Sequence, residues 1–149
     1  MTDNIKPATL FWVISGLALL WYIFGAVQFV GSLMATQEGL QPMIDKGDIT
    51  QDYATALLTI PGWVKAAFGV ATIGGVLGSI SLLMRKKFAA VLFVISLISA
   101  LIMYLYLYVL SGNASVMPVS DYVIAAAVTL VTISMIFFSR KKISQGILT

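Results

Sequence analysis

The chain contains no cysteine and no histidine. The lack of cysteine excludes disulfide bonds, thiolate catalysis and cysteine metal sites. The lack of histidine removes the commonest general base and the commonest transition-metal ligand. Charge is also scarce, because 10% of the 149 residues are charged, against about a quarter in an ordinary soluble domain. We therefore expect no cofactor and no metal site.

Four long apolar segments occupy most of the chain. A transmembrane helix needs roughly 20 mostly apolar residues, because the hydrocarbon core is about 30 Å thick and a helix rises about 1.5 Å per residue. Four segments meet this requirement: Leu10–Met34, Trp63–Met84, Phe88–Leu110 and Val119–Phe138. The sequence therefore predicts an all-α integral membrane protein in which residues 1–149 form a single four-helix bundle.

The connections between these segments predict how the helices are joined. The turn Arg85–Lys87 is so short that the second and third helices must form an antiparallel hairpin. The Ala35–Gly62 loop is long enough for a short helix over Gln51–Thr59, with Thr50 as its N-cap and Pro61 beyond its end. This helix either lies at the membrane interface or caps the bundle, or the loop is a structured linker. Both chain tails are expected to be solvated.

Basic residues indicate the orientation in the membrane. Seven of the nine lie on one side of the predicted spans: Lys6, Arg85, Lys86, Lys87, Arg140, Lys141 and Lys142. Cytoplasmic loops carry such an excess of lysine and arginine, so both termini are predicted to be cytoplasmic and the Ala35–Gly62 loop to be outside. The lipid bilayer is the expected partner of these basic groups, and nucleic acid is not expected.

Small residues in the second segment predict close helix packing. Residues four positions apart share a face and let helix backbones approach in lipid. Two such rows occur: Ala67, Ala71, Gly75 and Ser79 on one face, and Gly74 and Gly78 on the next. The rows can serve a neighbouring helix of the same chain or a second protomer, and packing within the chain is the favoured interpretation.

Polar residues at membrane depth are the main candidates for a functional site. Trp21, Gly25, Gln28 and Ser32 lie at helical spacing on the first segment. Because hydrocarbon offers no hydrogen bonds, we expect this face to point inward, towards hydroxyl groups of the other helices. The face then either forms interhelical hydrogen bonds or lines a small polar cavity.

A second candidate lies at the outer ends of the helices. Lys65 is near the positive N-terminal end of its helix, where a cation is disfavoured, and we predict that it pairs with Asp121, with Asp52 as the second choice. Snorkelling to the headgroups is the alternative. Tyr104 shares a face with Tyr108, which favours an aromatic belt at the membrane interface. A stacking site for a ligand is the alternative interpretation of these tyrosines.

Short motifs along nearly the whole chain resemble those of one family. They are Trp21 with Gly25, Pro61–Trp63, Gly74–Gly78, Leu82–Lys87 and Ser139–Lys142. Together they are similar to a family of small, uncharacterised bacterial four-helix membrane proteins, some of which are loosely labelled sugar transporters. The resemblance implies a bacterial inner membrane and the four-helix architecture. After the first-helix tryptophan, where that family commonly has asparagine, this chain has Tyr22.

Three classes of function follow from these patterns. The leading prediction is a non-enzymatic accessory protein that packs with, or modulates, a membrane-protein partner. The alternative is a subunit of an oligomeric channel or small-solute transporter, a homo-oligomer whose axis is lined by the Trp21–Ser32 face or by Lys65. An intramembrane enzyme is disfavoured, because no paired carboxylates and no nucleophile–base arrangement lie at membrane depth.

The predicted orientation has a direct test. A reporter that is active only in the cytoplasm should give a signal when it is fused after Thr149, because that segment follows a basic cluster. The same reporter inserted within the Ala35–Gly62 loop should be silent. A silent fusion after Thr149 would overturn the predicted orientation.

Overall fold

The computed structural model of the chain describes residues 5–149. Six α-helices occur in this part of the chain: α1 (Thr9–Met34), α2 (Gln37–Asp45), α3 (Gln51–Leu58), α4 (Gly62–Leu83), α5 (Phe88–Leu105) and α6 (Val119–Ser144). Helix α5 continues into a π-helical turn, Tyr106–Leu110, and a 3₁₀ turn, Ala114–Val116, precedes α6. Four helical segments, including α5 with its π-helical turn, are long and apolar enough to cross a membrane. The predicted all-α membrane bundle is therefore confirmed.

The predicted spans agree with the helices except at the end of the last one. Helix α6 continues to Ser144, six residues beyond the predicted end at Phe138. Lysine and arginine form helices well, and Lys141 and Lys142 lie in the last turn, where the helix dipole favours cations. The loss of hydrophobicity after Phe138 therefore marks the end of the apolar segment and not the end of the helix.

Two short helices fold the loop between α1 and α4. Helix α3 begins after Thr50, whose hydroxyl oxygen accepts a hydrogen bond from the Tyr53 amide at 3.1 Å, as the predicted N-cap requires. Helix α2 was not predicted, because Gly39 and Pro42 both disfavour a helix. Its signal in the sequence is Thr36, which accepts from the Gly39 amide in the same way. Each of the two loop helices is thus capped at its N-terminus by a threonine hydroxyl.

The turn between α4 and α5 forms the predicted antiparallel hairpin. Arg85 adopts a left-handed backbone conformation with φ +58°. The amide of Lys86 then donates to the carbonyl of Ser81 at 2.8 Å, which is a typical end of a helix before a sharp turn. We call this end of the bundle, where both described chain ends also lie, the termini end, and the end with residues 35–61 the loop end.

Helix α4 has the largest buried share of the four spans. Its glycines face two different neighbours. A Cβ atom added at Gly74 would contact Ser96 of α5 at 3.5 Å, and one added at Gly78 would lie 3.0 Å from the ring of Phe93. Gly75 faces α1, where Tyr22 occupies the space above it. The small residues of α4 therefore pack against helices of the same chain on two faces.

Tyr22 connects α1 with the other three spans. A Cβ atom added at Gly75 of α4 would lie only 2.0 Å from Cδ1 of Tyr22. The ring centroid of Tyr22 is 5.8 Å from that of Phe93 on α5. Its hydroxyl group is 2.8 Å from Oγ1 of Thr132 on α6. Because Thr132 already donates to the carbonyl of Val128, Tyr22 is the donor of this bond.

The contact between Tyr22 and Gly75 predicts a stability effect. Gly75→Ala should lower the free energy of unfolding by about 1–3 kcal/mol, because the added methyl group forces the tyrosine ring or the helices apart. Gly16→Ala is the control, since a Cβ atom there would meet nothing within 4 Å. Denaturant-induced unfolding in mild detergent measures both. Equal effects of the two substitutions would contradict the close contact.

Candidate functional site

A small cavity lies among the four spans on the loop side of Tyr22. Its volume is about 50 Å³, which is room for one or two water molecules at about 30 Å³ each. All four spans contribute to its wall: Trp21, Tyr22, Phe68, Ala71, Thr72, Ser96, Ala100, Met103, Tyr104 and Val128. Most of these groups are apolar. Its volume is well below the roughly 300–1,000 Å³ of a typical ligand pocket.

The polar groups of the bundle interior are paired with one another. Ser96 donates to the carbonyl of Ala71 on the adjacent helix. Thr72 and Ser79 donate to carbonyls of their own helix, at 3.0 and 2.8 Å. Within residues 5–149, no buried side-chain nitrogen or oxygen lacks a hydrogen-bond partner. Satisfied groups of this kind fix the packing of helices in lipid and leave little capacity for a ligand.

A hydrogen bond at the loop end joins the loop to the last span. The hydroxyl of Tyr53 on α3 donates to a carboxylate oxygen of Asp121 at 2.7 Å. Burial raises the pKa of Tyr53, and the hydrogen bond to Asp121 and the negative charge of Asp121 raise it further. Tyr108 donates to the backbone carbonyl of Asp121 at 3.1 Å. Helix α3 therefore caps the loop end of the bundle.

Three tyrosines of α5, its π-helical turn and α6 stack beside this cap. The ring centroids of Tyr104 and Tyr108 are 5.9 Å apart, and those of Tyr108 and Tyr122 are 4.4 Å apart. The stack borders an open apolar groove between the two helices, which Ala125 and Thr129 extend along α6. The ring of Tyr108 thus stacks with two other aromatic side chains of the same chain.

The predicted inward face of α1 is only partly buried. Gly25 packs against Thr72, where a Cβ atom would lie 3.3 Å from the threonine methyl group. Ser32 is half-buried and donates to the carbonyl of Phe29 in its own helix at 2.7 Å. Trp21 is 36% exposed at the edge of the cavity, and Gln28 is exposed. The prediction that this face points inward is therefore wrong for Gln28.

A neighbouring face of α1 occupies the interior instead. Phe11, Ser15, Ala18 and Tyr22 are all buried, at the same helical spacing of four, three and four residues. The shape of α4 decides between the two faces, because the flat ring of Tyr22 fits over Gly75. The sequence signal that could have found this face is the pairing of one large aromatic residue with a row of small residues on the facing helix.

The predicted ion pair between Lys65 and Asp121 is absent from the described part of the chain, residues 5–149. No lysine nitrogen lies within 4.0 Å of either Asp121 or Asp52 there. The carboxylate of Asp121 is engaged by the hydroxyl of Tyr53, which provides a short hydrogen bond without a second charge. Lys65 is half-buried at the loop end of α4. Snorkelling, the alternative given for this residue, agrees with its place in the first turn of the helix.

The C-terminal tail closes the termini end of the bundle, although the sequence predicted solvated tails. Ile147 and Leu148 are 6% and 0% exposed and belong to the hydrophobic core. Arg85 fixes the tail, because its guanidinium donates to the carbonyl of Ile147 at 2.9 Å and its own carbonyl accepts from the Thr149 amide at 2.8 Å. Gly146, with φ +70°, reverses the chain after α6. A glycine followed by two apolar residues is the signal for this fold-back.

Within residues 5–149, no group of three or more aspartate or glutamate side chains could hold a metal ion.

Comparisons with protein families, with curated proteins and with solved structures found no match to this chain. The resemblance to small bacterial four-helix membrane proteins therefore stays a prediction from the motifs of the sequence.

The hydrogen bond between Tyr53 and Asp121 predicts a coupled stability effect. Tyr53→Phe should cost about 1 kcal/mol of unfolding free energy, and much less when Asp121 is already alanine, because the acceptor is then gone. Since the pKa of Tyr53 is raised on folding, this contribution is full below pH of about 10 and is lost as the pH rises through the raised value. A double-mutant cycle in detergent at pH 8 measures the coupling.

Tyr106→Phe serves as the control for this cycle. Its ring meets Trp63 edge to face at 5.3 Å, a contact that phenylalanine retains. This variant should change stability by no more than about 0.5 kcal/mol. Equal effects of Tyr53→Phe with and without the Asp121 carboxylate would show that the hydrogen bond does not hold the cap.

Proposed function

We propose that this chain is a non-enzymatic integral membrane protein that acts by packing against another membrane protein, with both termini in the cytoplasm. The closed interior of the bundle is the observation that carries the proposal. A transporter or channel needs a polar path through the membrane, and an intramembrane enzyme needs reactive groups at membrane depth that remain available to a substrate.

The centre of the bundle supports this function. Tyr22 fills the space between the spans through its contacts with Gly75, Phe93 and Thr132. The polar groups around it are engaged in hydrogen bonds within the chain. The cavity next to Tyr22 has room for one or two water molecules and no more. A solute path through a single copy of residues 5–149 is therefore not favoured.

Both ends of the bundle support it as well. The loop end is capped by α3 through Tyr53 and Asp121. The termini end is filled by Ile147 and Leu148, which Arg85 fixes in place. A bundle that is closed at its centre and at both ends presents its remaining chemistry on its lateral surface, where another membrane protein makes contact.

The basic residues support the cytoplasmic placement of the termini. Arg140 and Lys141 are exposed near the end of α6, and the tail that follows them is hydrogen-bonded to the Arg85–Lys87 turn through Thr149. Such a basic rim is typical of the cytoplasmic side. A bacterial inner membrane follows from the resemblance of the sequence motifs and forms part of the proposal.

Solute flux tests the proposal against its alternative, an oligomeric channel or small-solute transporter. The purified protein in lipid vesicles should not raise the permeability to small ions, sugars or other small neutral solutes above that of empty vesicles. Leu148→Ala, which removes the side chain that closes the termini end, should also give no flux, because Tyr22 still closes the centre. Vesicles with a known passive pore provide the positive control.

Two results would reject the proposed function. Saturable uptake of a solute would indicate a transporter, and a leak that increases in Leu148→Ala would indicate a channel with a gate at the termini end. A flux that Leu148→Ala leaves unchanged would place the path along an oligomer axis, whereas a leak that this variant increases would place it through the interior of the bundle, where Leu148 is buried.

A further inference from the structure

Gln28 exposes a carboxamide group at membrane depth. It lies six residues, or about 9 Å, before the end of α1 at Met34, and therefore just inside the hydrocarbon. The side-chain hydrogen bonds of α1 in residues 5–149 involve Ser15, Tyr22 and Ser32. Within residues 5–149, the carboxamide of Gln28 has no hydrogen-bond partner. A polar group without a hydrogen-bond partner is costly in hydrocarbon. We therefore look for the partner of Gln28 on a second molecule in the membrane.

Gln28 belongs to a continuous exposed face of α1. The face consists of Leu17, Leu20, Phe24, Gln28 and Gly31, which follow one another at helical spacings of three and four residues. Leu17, Leu20 and Phe24 are 61%, 64% and 62% exposed, and Gln28 and Gly31 are also exposed. We call this set the Gln28 face. It turns away from the interior face that carries Tyr22.

Gly31 makes the Gln28 face suitable for a close helix contact. A Cβ atom at Gly31 would meet nothing within 4 Å in the chain. Glycine in a helix costs about 1 kcal/mol relative to alanine, so its presence there is not explained by the fold of one chain. A glycine one turn from a polar residue lets a second helix approach closely enough for an interhelical hydrogen bond.

We propose that the Gln28 face is the contact between two copies of this chain, arranged in parallel about a twofold axis along the membrane normal. The proposal rests on the proposed function and names the membrane protein against which the bundle packs. Twofold symmetry places the same residue of both copies at the same depth and near the axis. Gln28 then meets Gln28 of the second copy.

The chemistry of the carboxamide favours a second copy as the occupant. A carboxamide carries both a donor and an acceptor, so two identical side chains satisfy each other. A charged residue would repel its own copy across the axis, but no charged residue occurs between Leu10 and Met34. The Gln28 face is therefore complementary to itself without any change in sequence.

Disulfide cross-linking tests the proposal without interference, because the chain has no cysteine of its own. Phe24→Cys and Gly31→Cys place a thiol on the Gln28 face. Ile23→Cys and Val30→Cys are controls at matching depth, since both residues are exposed but lie on another side of α1. The purified variants are oxidised in vesicles at a low protein-to-lipid ratio, and the rate of dimer formation is measured.

Cross-linking should be at least several-fold faster at positions 24 and 31 than at positions 23 and 30. Gln28→Leu in the Phe24→Cys background should slow it by about threefold to tenfold, the range expected for one interhelical hydrogen bond in lipid. Val30→Leu is the matched exposed control and should leave the rate unchanged, because Val30 is exposed on another side of α1 at a similar depth. Unfolding measurements on each variant show that the bundle itself is intact.

Three results would overturn the proposal. Equal rates at all four positions would indicate random collision, and faster rates at 23 and 30 would indicate a different face. Cross-linking at Phe24→Cys to another protein in native membranes, without dimers in purified vesicles, would replace the second copy by a different partner. Solute flux in the vesicles would reject the proposed function while leaving the pattern of cross-links unchanged, so the two failures are distinguishable.

Discussion

The contact of Tyr22 with all three neighbouring spans is the interaction on which the rest of the bundle depends. Lipid supplies no hydrophobic driving force between helices, so van der Waals contact and hydrogen bonds must hold them together. Tyr22 provides both, because its ring lies on Gly75 and beside Phe93 while its hydroxyl donates to Thr132. The same contact also closes the centre of the bundle. The side chain that holds the helices together is therefore the one that fills the space a solute path would need, in line with the proposed function.

The termini end and the loop end are closed by different chemistry. At the termini end, the Arg85 guanidinium and backbone hold the tail so that Leu148 is fully buried. At the loop end, a single hydrogen bond from Tyr53 to Asp121 joins α3 to α6. Both closures use long-range hydrogen bonds near the membrane interface, where polar groups are less costly than in the centre. The interior is left with hydroxyl groups that are bonded within the chain.

The number and length of the spans could be predicted from the sequence, because a bilayer imposes a minimum length of apolar residues. The inward face of α1 could not, since residues that face lipid are as apolar as residues that face other helices. Polarity favoured the face that runs from Trp21 to Ser32, whereas the fit of Tyr22 to Gly75 decides which face of α1 points inward. The partner of Asp121 was missed for a related reason, because charge favoured Lys65 and the proximity of Tyr53 depends on the folded loop.

The free energy of unfolding of two Tyr22 variants tests the central role of this side chain most directly. If ring packing dominates, Tyr22→Ala should cost about 3–5 kcal/mol, as for other large buried aromatic residues. Tyr22→Phe keeps the ring and should cost about 1 kcal/mol or less, the usual effect of one interhelical hydrogen bond in lipid. Both variants are compared with the unsubstituted protein in the same detergent. An alanine variant as stable as the phenylalanine variant would show that the packing of the Tyr22 ring does not hold the bundle together.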